Sequence, residues 1–144
     1  MVDMEHKEHE VVEEELAATN EVVEQEEAEH QTKMEDYIIK TADNINQEMR
    51  ALKASLKSSC VRRYAEEYPE LFEGDEETRR KALGRSSHLD QVSRELDRNL
   101  QRIRSEVDEE LEGRMAHLRG QVQRLNAEFR EDQLSRMEAW RQSL

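Results

Sequence analysis

Two places in this sequence hold residue types that could do chemistry. His6 and His9 stand among glutamates near the start of the chain, and Cys60 is the only cysteine. Imidazole and carboxylate groups together can bind zinc, but residues 9–13 read His-Glu-x-x-Glu and lack the second histidine of the zinc-protease motif. We therefore expect a solvated acidic terminus at this end of the chain and predict no metal site.

Cys60 has two readings, as a reactive thiol or as a packing residue. Arg62 and Arg63 follow it closely, and neighbouring cations favour a reactive thiolate. Cys60 also continues a stripe of apolar residues, which indicates a small hydrophobe buried in a helical seam. No glycine-rich phosphate loop, Gly-x-Ser-x-Gly or Cys-x-x-Cys accompanies it. We predict that the protein is not an enzyme and uses no cofactor.

The composition favours long helices over a compact core. Hydrophobic residues make up 35% and charged residues 40%, with one proline and four glycines. Globular domains average roughly 45–50% apolar and about 25% charged residues. A coiled-coil seam needs only two or three apolar positions in seven, which this composition supplies. The expected fold is all-α and elongated, with long helices forming a helical hairpin or coiled-coil bundle.

The acidic charge is concentrated at one end of the chain. Of the net −13, residues 1–30 carry −11, from twelve acids and one lysine. Such an arm repels phosphate backbones and anionic membrane surfaces, so we expect no direct nucleic-acid binding, and membrane binding is disfavoured. The sequence has neither a secretory signal pattern nor an apolar run of about 18 residues. These features predict a cytoplasmic or nuclear protein.

The chain divides into four regions. Residues 1–30 form an acidic arm for which helix and disorder are both open. Residues 31–68 form a helix with a heptad pattern, which Pro69 ends. Residues 69–86 form a connecting corner with a short helix, and residues 87–144 form a long helix. The heptad positions are Ile38, Ala42, Ile45, Met49, Leu52 and Leu56.

The corner contains the residues that commonly end and begin helices. Asp75 is placed to cap the start of the short helix, and Gly84 is expected just beyond its end, after Leu83. Ser87 and Asp90 resemble a capping box at the start of the long helix, with Asp in place of Glu or Gln.

The long helix carries an apolar stripe with a different period. From Leu89 to Phe129 the steps repeat as three, four and four, an eleven-residue repeat. Such a repeat is straight or slightly right-handed, unlike a left-handed heptad coil, so the two helices suit a hairpin or bundle better than one uniform coil. With Trp140, the stripe is the predicted partner-binding surface: Leu89, Val92, Leu96, Leu100, Ile103, Val107, Leu111, Met115, Leu118, Val122, Leu125, Phe129 and Trp140.

Two further features concern the polar positions of this helix. After Phe129 the repeat slips by one position, because Gln133 fills the expected apolar slot and Leu134 follows it. Eleven arginines and no lysine occur beyond Lys81, with local acid–Arg pairs at Glu110–Arg114 and Asp132–Arg136. The arginines either form a solvated mixed-charge face or bind an acidic surface such as the chain's own arm.

Together these features predict a non-enzymatic structural or adaptor subunit. It would assemble through long amphipathic helices with itself or with a protein partner, as a homo- or hetero-oligomer. Two alternatives remain open at this point. Eleven-residue amphipathic repeats also occur in helices that lie on lipid surfaces, and the acidic arm could shield a basic site on a regulated partner.

Overall fold

The computed structural model of the chain describes residues 2–143, with side chains from Glu10 onward. Within that part the helices are α1 (Val2–Glu67), α2 (Glu76–Arg85) and α3 (Ser87–Ser143), with a 3-10 turn at Pro69–Leu71 and no strand. The all-α prediction is confirmed. The acidic region, for which the sequence left helix and disorder open, belongs to α1 without a break.

The corner between the long helices follows from a few local preferences. The residue before a proline avoids the α region, and Tyr68 has φ −132° and ψ 69°, which ends α1. Gly74 has φ 80°, a left-handed conformation that glycine adopts without a steric penalty. Asp75 then caps α2, because its Oδ1 accepts a hydrogen bond of 2.7 Å from the backbone N–H of Thr78.

The junction between α2 and α3 differs from the prediction by one or two residues. Gly84 was expected beyond the end of the short helix, and this was wrong, since α2 continues to Arg85. Ser86 has an extended backbone, φ −129° and ψ 112°, and it both ends α2 and caps α3. Its Oγ accepts a hydrogen bond of 3.3 Å from the backbone N–H of Leu89, so the capping serine of α3 is Ser86 and not Ser87.

The chain separates into two units, each built from parts of α1 and α3. The described part of Met1–Thr41 with Leu118–Leu144 forms the first, here called the terminal unit. Ala42–His117 forms the second, here called the corner unit, which contains α2. In each unit, residues later in α1 contact residues earlier in α3, so the two helices run antiparallel. The predicted helical hairpin arrangement is present in each unit.

The heptad positions of α1 do not all face α3. In the corner unit Met49 is 5% exposed, whereas Leu52 and Leu56 are each 39% exposed. In the terminal unit Ile38 is 36% exposed. Residues with a heptad spacing all face the partner helix only when the two helices form a left-handed supercoil. An eleven-residue repeat on the partner does not favour that supercoil, so the heptad residues of α1 gradually turn away from α3. The half-buried residue after Met49 is therefore Lys53, four positions on.

Candidate partner-binding surface

The corner unit has the best-packed part of the contact between α1 and α3. Cys60 and Tyr64 from α1 meet Val92 and Leu96 from α3, and each of these side chains is at most 9% exposed. The prediction that Cys60 is buried in the contact between the two helices is thus confirmed. Four further apolar residues pack around this cluster at lower burial: Tyr68, Leu71, Leu100 and Ile103.

Polar and aromatic contacts fix the register of the helices at this cluster. Asn99 Nδ2 donates a hydrogen bond of 2.6 Å to Tyr64 Oη, which gives a partner to the hydroxyl of a residue that is 5% exposed. The ring of Tyr68 lies 6.3 Å from that of Tyr64 and 5.9 Å from that of His88, the latter edge to face. A shift of α3 by one turn would separate these partners, so the cluster selects one alignment.

The terminal unit has a more polar seam. The rings of His30 and Phe129 stack in parallel, with centroids 3.9 Å apart and planes 2° from coplanar. His30 Nε2 lies 2.8 Å from Asn126 Oδ1, and Tyr37 Oη donates a hydrogen bond of 3.0 Å to Gln121 Oε1. Hydrogen bonds of this kind specify alignment more than they add stability, because water offers the same groups comparable bonds.

Two arginines of α3 bind glutamates of α1. In the corner unit Arg114 Nη1 lies 2.6 Å from Glu48 Oε2, and in the terminal unit Arg136 binds both carboxylate oxygens of Glu26 at 2.8 Å. The hydrogen bond with the glutamate on α1 is the main cause that raises the pKa of each arginine. The predicted local pairs are also present, with Glu110–Arg114 at 3.3 Å and Asp132–Arg136 at 3.2 Å.

The predicted stripe of α3 lies on the covered side of the helix. Four of its thirteen residues, Val92, Leu96, Val107 and Leu118, are buried, and the other nine are half-buried. Residues of the stripe contact α1 in each unit, as Val92, Leu96 and Phe129 do. Half-burial of the remainder is what one helix neighbour provides, since a stripe at least 100° wide extends past a single two-helix contact.

The slip of the repeat after Phe129 is visible as an exchange of burial. Gln133 is 7% exposed and fills the apolar slot, while Leu134 is 66% exposed. Among the described residues, none accepts a hydrogen bond from Nε2 of Gln133. An unpaired buried amide costs about 1–3 kcal/mol, so this slot weakens the terminal unit. The sequence pattern predicted the position of Gln133, whereas its missing partner could be seen only in the structure.

Each unit also exposes apolar side chains. In the corner unit these are Leu52, Leu56 and Phe72, at 37–39% exposure. In the terminal unit Ile39 is 59% exposed and Leu134 is 66% exposed. Between α1 and α3 of the terminal unit runs an open groove of about 510 Å³, whose apolar lining comes from Met34, Ile38, Val122 and Phe129. The sequence did not single out Ile39, because it lies outside the heptad.

Among the side chains that the structure describes, no group of three or more His, Cys, Asp and Glu could hold a metal ion. His6 and His9, whose imidazoles stand among glutamates in the sequence, lie outside the described side chains. No described helix has an apolar run long enough to cross a membrane. No protein-family model, curated protein or solved structure matches this chain.

Proposed function

We propose that this chain is a non-enzymatic structural or adaptor subunit that assembles through its long amphipathic helices. The observation that carries this proposal is the incomplete cover of the apolar residues. No described side chain larger than alanine is less than 2% exposed, and nine of the thirteen stripe residues are only half-buried. A third or fourth helix would bury them, and each buried methylene contributes about 0.8 kcal/mol.

The exposed leucines of α1 supply a second contact face in the corner unit. Leu52 and Leu56 are one helical turn apart, so they lie on the same side of α1. Their exposure of 39% arises because α3 contacts the neighbouring side of α1, near Met49 and Cys60. Helices with two apolar sides are typical of bundles with more than two members. We therefore assign Leu52 and Leu56 to an interface with a further helix.

Light scattering over a range of concentrations tests this assignment. We expect the protein at about 200 µM to form an oligomer whose mass falls toward the monomer at about 1 µM. Replacing Leu52 and Leu56 with Glu should shift the midpoint to higher concentration while circular dichroism stays unchanged. The control is Ala54→Glu together with Ser58→Glu, which adds the same charge at two exposed positions on the other side of α1. A wild-type chain that stays monomeric throughout contradicts assembly through this face.

Lipid binding fits the arrangement of the helices less well. A helix that lies on lipid must turn its apolar side outward. In each unit that side of α3 is instead turned toward α1, as Leu96 is in the corner unit and Phe129 in the terminal unit. Flotation of the wild type with vesicles would favour the lipid alternative only if the protein with Leu52→Glu and Leu56→Glu floated less than the wild type.

A further inference from the structure

The terminal unit has a segment of α1 that no described residue of α3 faces. The pair Glu26–Arg136 gives the register. Seven residues onward from Arg136 is Ser143, the last described residue of α3, and seven residues back from Glu26 is Thr19. Residues 10–18, here called the overhang, precede Thr19 and therefore extend past the described part of α3. The overhang is helical throughout.

The overhang continues the apolar side of α1 that α3 covers elsewhere in this unit. Thr19, Val23, Glu26 and His30 are half-buried, at steps of four, three and four. Continued toward the N-terminus, the same steps reach Glu15 and Val12, with Leu16 beside them. Val12 is 45% exposed and Leu16 is 46% exposed. These two residues are one turn apart on a face that has the pattern of a helix contact, and no described helix covers that face.

The charge of the overhang indicates the kind of helix that would fit. Residues 10–18 contain four glutamates and no basic residue. Glu15 lies eleven residues before Glu26, and Glu26 lies twenty-two before Glu48, so the three occupy equivalent positions of an eleven-residue repeat. Each of the latter two glutamates binds an arginine of α3. At the next equivalent position, Glu15 offers the same carboxylate to an arginine from elsewhere.

We propose that the overhang binds an amphipathic helix of another protein that carries arginine or lysine beside an apolar stripe and runs antiparallel to α1. The apolar stripe would cover Val12 and Leu16, and a basic residue would bind Glu15. The inference rests on the proposed function as a helix-binding subunit and names one partner chemistry for it. A second copy would bring its own acidic arm, with −11 over residues 1–30, against an acidic surface, which is unfavourable.

Binding of synthetic helical peptides to the full chain tests the proposal. The probe is a labelled peptide of about 22 residues with leucines at steps of three, four and four and arginine at each eleven-residue position. One control peptide has every arginine replaced by glutamate, and another has the same composition in scrambled order. The protein variant is Val12→Asp with Leu16→Asp. Its matched control is Ile39→Asp, a 59% exposed position of α1 outside the overhang.

We expect the basic peptide to bind the wild type and the Ile39→Asp protein equally, and to bind the double variant at least about tenfold more weakly. Affinity should fall as salt rises, because carboxylate–guanidinium attraction at a surface is screened. Equal binding of the scrambled or acidic peptide would overturn the proposal, as would full binding by the double variant. Self-association of the chain that the double variant abolishes would identify a second copy as the occupant and also overturn it.

The two proposals fail separately. If the peptide does not bind the overhang, the Leu52→Glu and Leu56→Glu changes should still shift the concentration midpoint of assembly, because those residues lie in the corner unit. Loss of the assembly through Leu52 and Leu56 leaves peptide binding at Val12 and Leu16 to be measured on its own.

Discussion

Arg136 and Glu26 form a bidentate ion pair, in which guanidinium Nη1 and Nη2 lie 2.8 Å from carboxylate Oε1 and Oε2, respectively. The same arginine is held from its own helix by Asp132, 3.2 Å from Nε. Its side chain is thus ordered by two carboxylates, so less conformational entropy is lost for each contact than in a solitary surface pair. The pair joins the acidic arm to α3 within the terminal unit.

The geometry at Arg136 decides between the two interpretations of the arginines at that position. Arg136 binds the acidic arm of its own chain, whereas Arg94 pairs with Asp90 on the same helix at 3.1 Å. A planar guanidinium can bind both oxygens of a carboxylate at once, which a lysine ammonium cannot do. Most of the remaining arginine contacts lie within α3, one turn apart, as expected for a solvated mixed-charge face.

Arg136→Lys should therefore weaken the terminal unit more than a matched change elsewhere. We expect the Tm to fall by about 1–3 °C, because lysine cannot bind both oxygens of Glu26 at once and exposed ion pairs contribute little to stability. The control is Arg94→Lys, which loses only a contact within one helix. In about 1 M NaCl the difference between the two variants should vanish. Equal Tm values for both variants at low salt would show that the contact with Glu26 contributes nothing.

Gln133 offers a test of the buried amide. Methionine has nearly the same shape and no donor, so Gln133→Met should raise the free energy of unfolding by about 1–3 kcal/mol. The control is Gln121→Met, a change of the same type on the same helix. Gln121 accepts the hydrogen bond of Tyr37, so this second variant should be destabilised by about 0.5–1.5 kcal/mol. Urea unfolding followed by circular dichroism measures both. Destabilisation by Gln133→Met would mean that the amide has a partner in solution.

The fold was predictable because its signals are local and repeat along the chain. Steps of three and four residues place the stripe of α3 on one side of the helix, and Pro69 and Asp75 set two of the helix ends. The pairing of particular residues was not predictable in this way. His30 and Phe129 are 99 residues apart in the sequence, so their stacking depends on the register between α1 and α3, and no local pattern encodes that register.

The candidate surface was predictable only on one of the two helices. A perfect heptad on α1 indicated that Leu52 and Leu56 would be buried with Met49, yet both are exposed. The inward side of a helix depends on the period of its partner, so a pattern read from α1 alone misplaces these leucines. The overhang has the same origin, because the exposure of Val12 and Leu16 follows from the register with α3 and not from their own sequence.

Asp75 should make the start of α2 sensitive to acid. The backbone N–H of Thr78, followed by its side chain, lowers the pKa of Asp75 below its ordinary value of 3.8. A carboxyl group whose pKa is lowered on folding stabilises the native state above the unfolded pKa, and that contribution is lost as the pH falls through the folded pKa. Asp75→Ala should accelerate amide exchange in α2 several-fold near neutral pH. Below the lowered pKa that Asp75 has in the folded protein, the wild type and variant should converge. A difference that persists there would mean that the cap acts without its charge.

Gly113 and Gly120 should be replaceable by alanine with a gain in stability. Both lie inside α3, and a Cβ built on either meets nothing within 4 Å. Each substitution should raise the free energy of unfolding by about 0.8–1 kcal/mol, because alanine loses less backbone entropy in a helix. Gly74→Ala is the opposite case, since φ is +80° and a Cβ would lie 3.2 Å from two carbons of Thr78. That variant should lose about 1–2 kcal/mol.

Gly113 and Gly120 are seven residues apart and so lie on one face of α3. The two alanine variants therefore also test whether a partner helix crosses α3 closely on that face. Light scattering should show an unchanged midpoint of assembly if the glycines are only tolerated weak points of the helix. Weaker assembly by Gly113→Ala and Gly120→Ala, with the gain in monomer stability retained, would instead place another helix against this face. Added methyl groups prevent close backbone approach between helices while leaving each helix intact, so the two measurements separate packing within the chain from packing between chains.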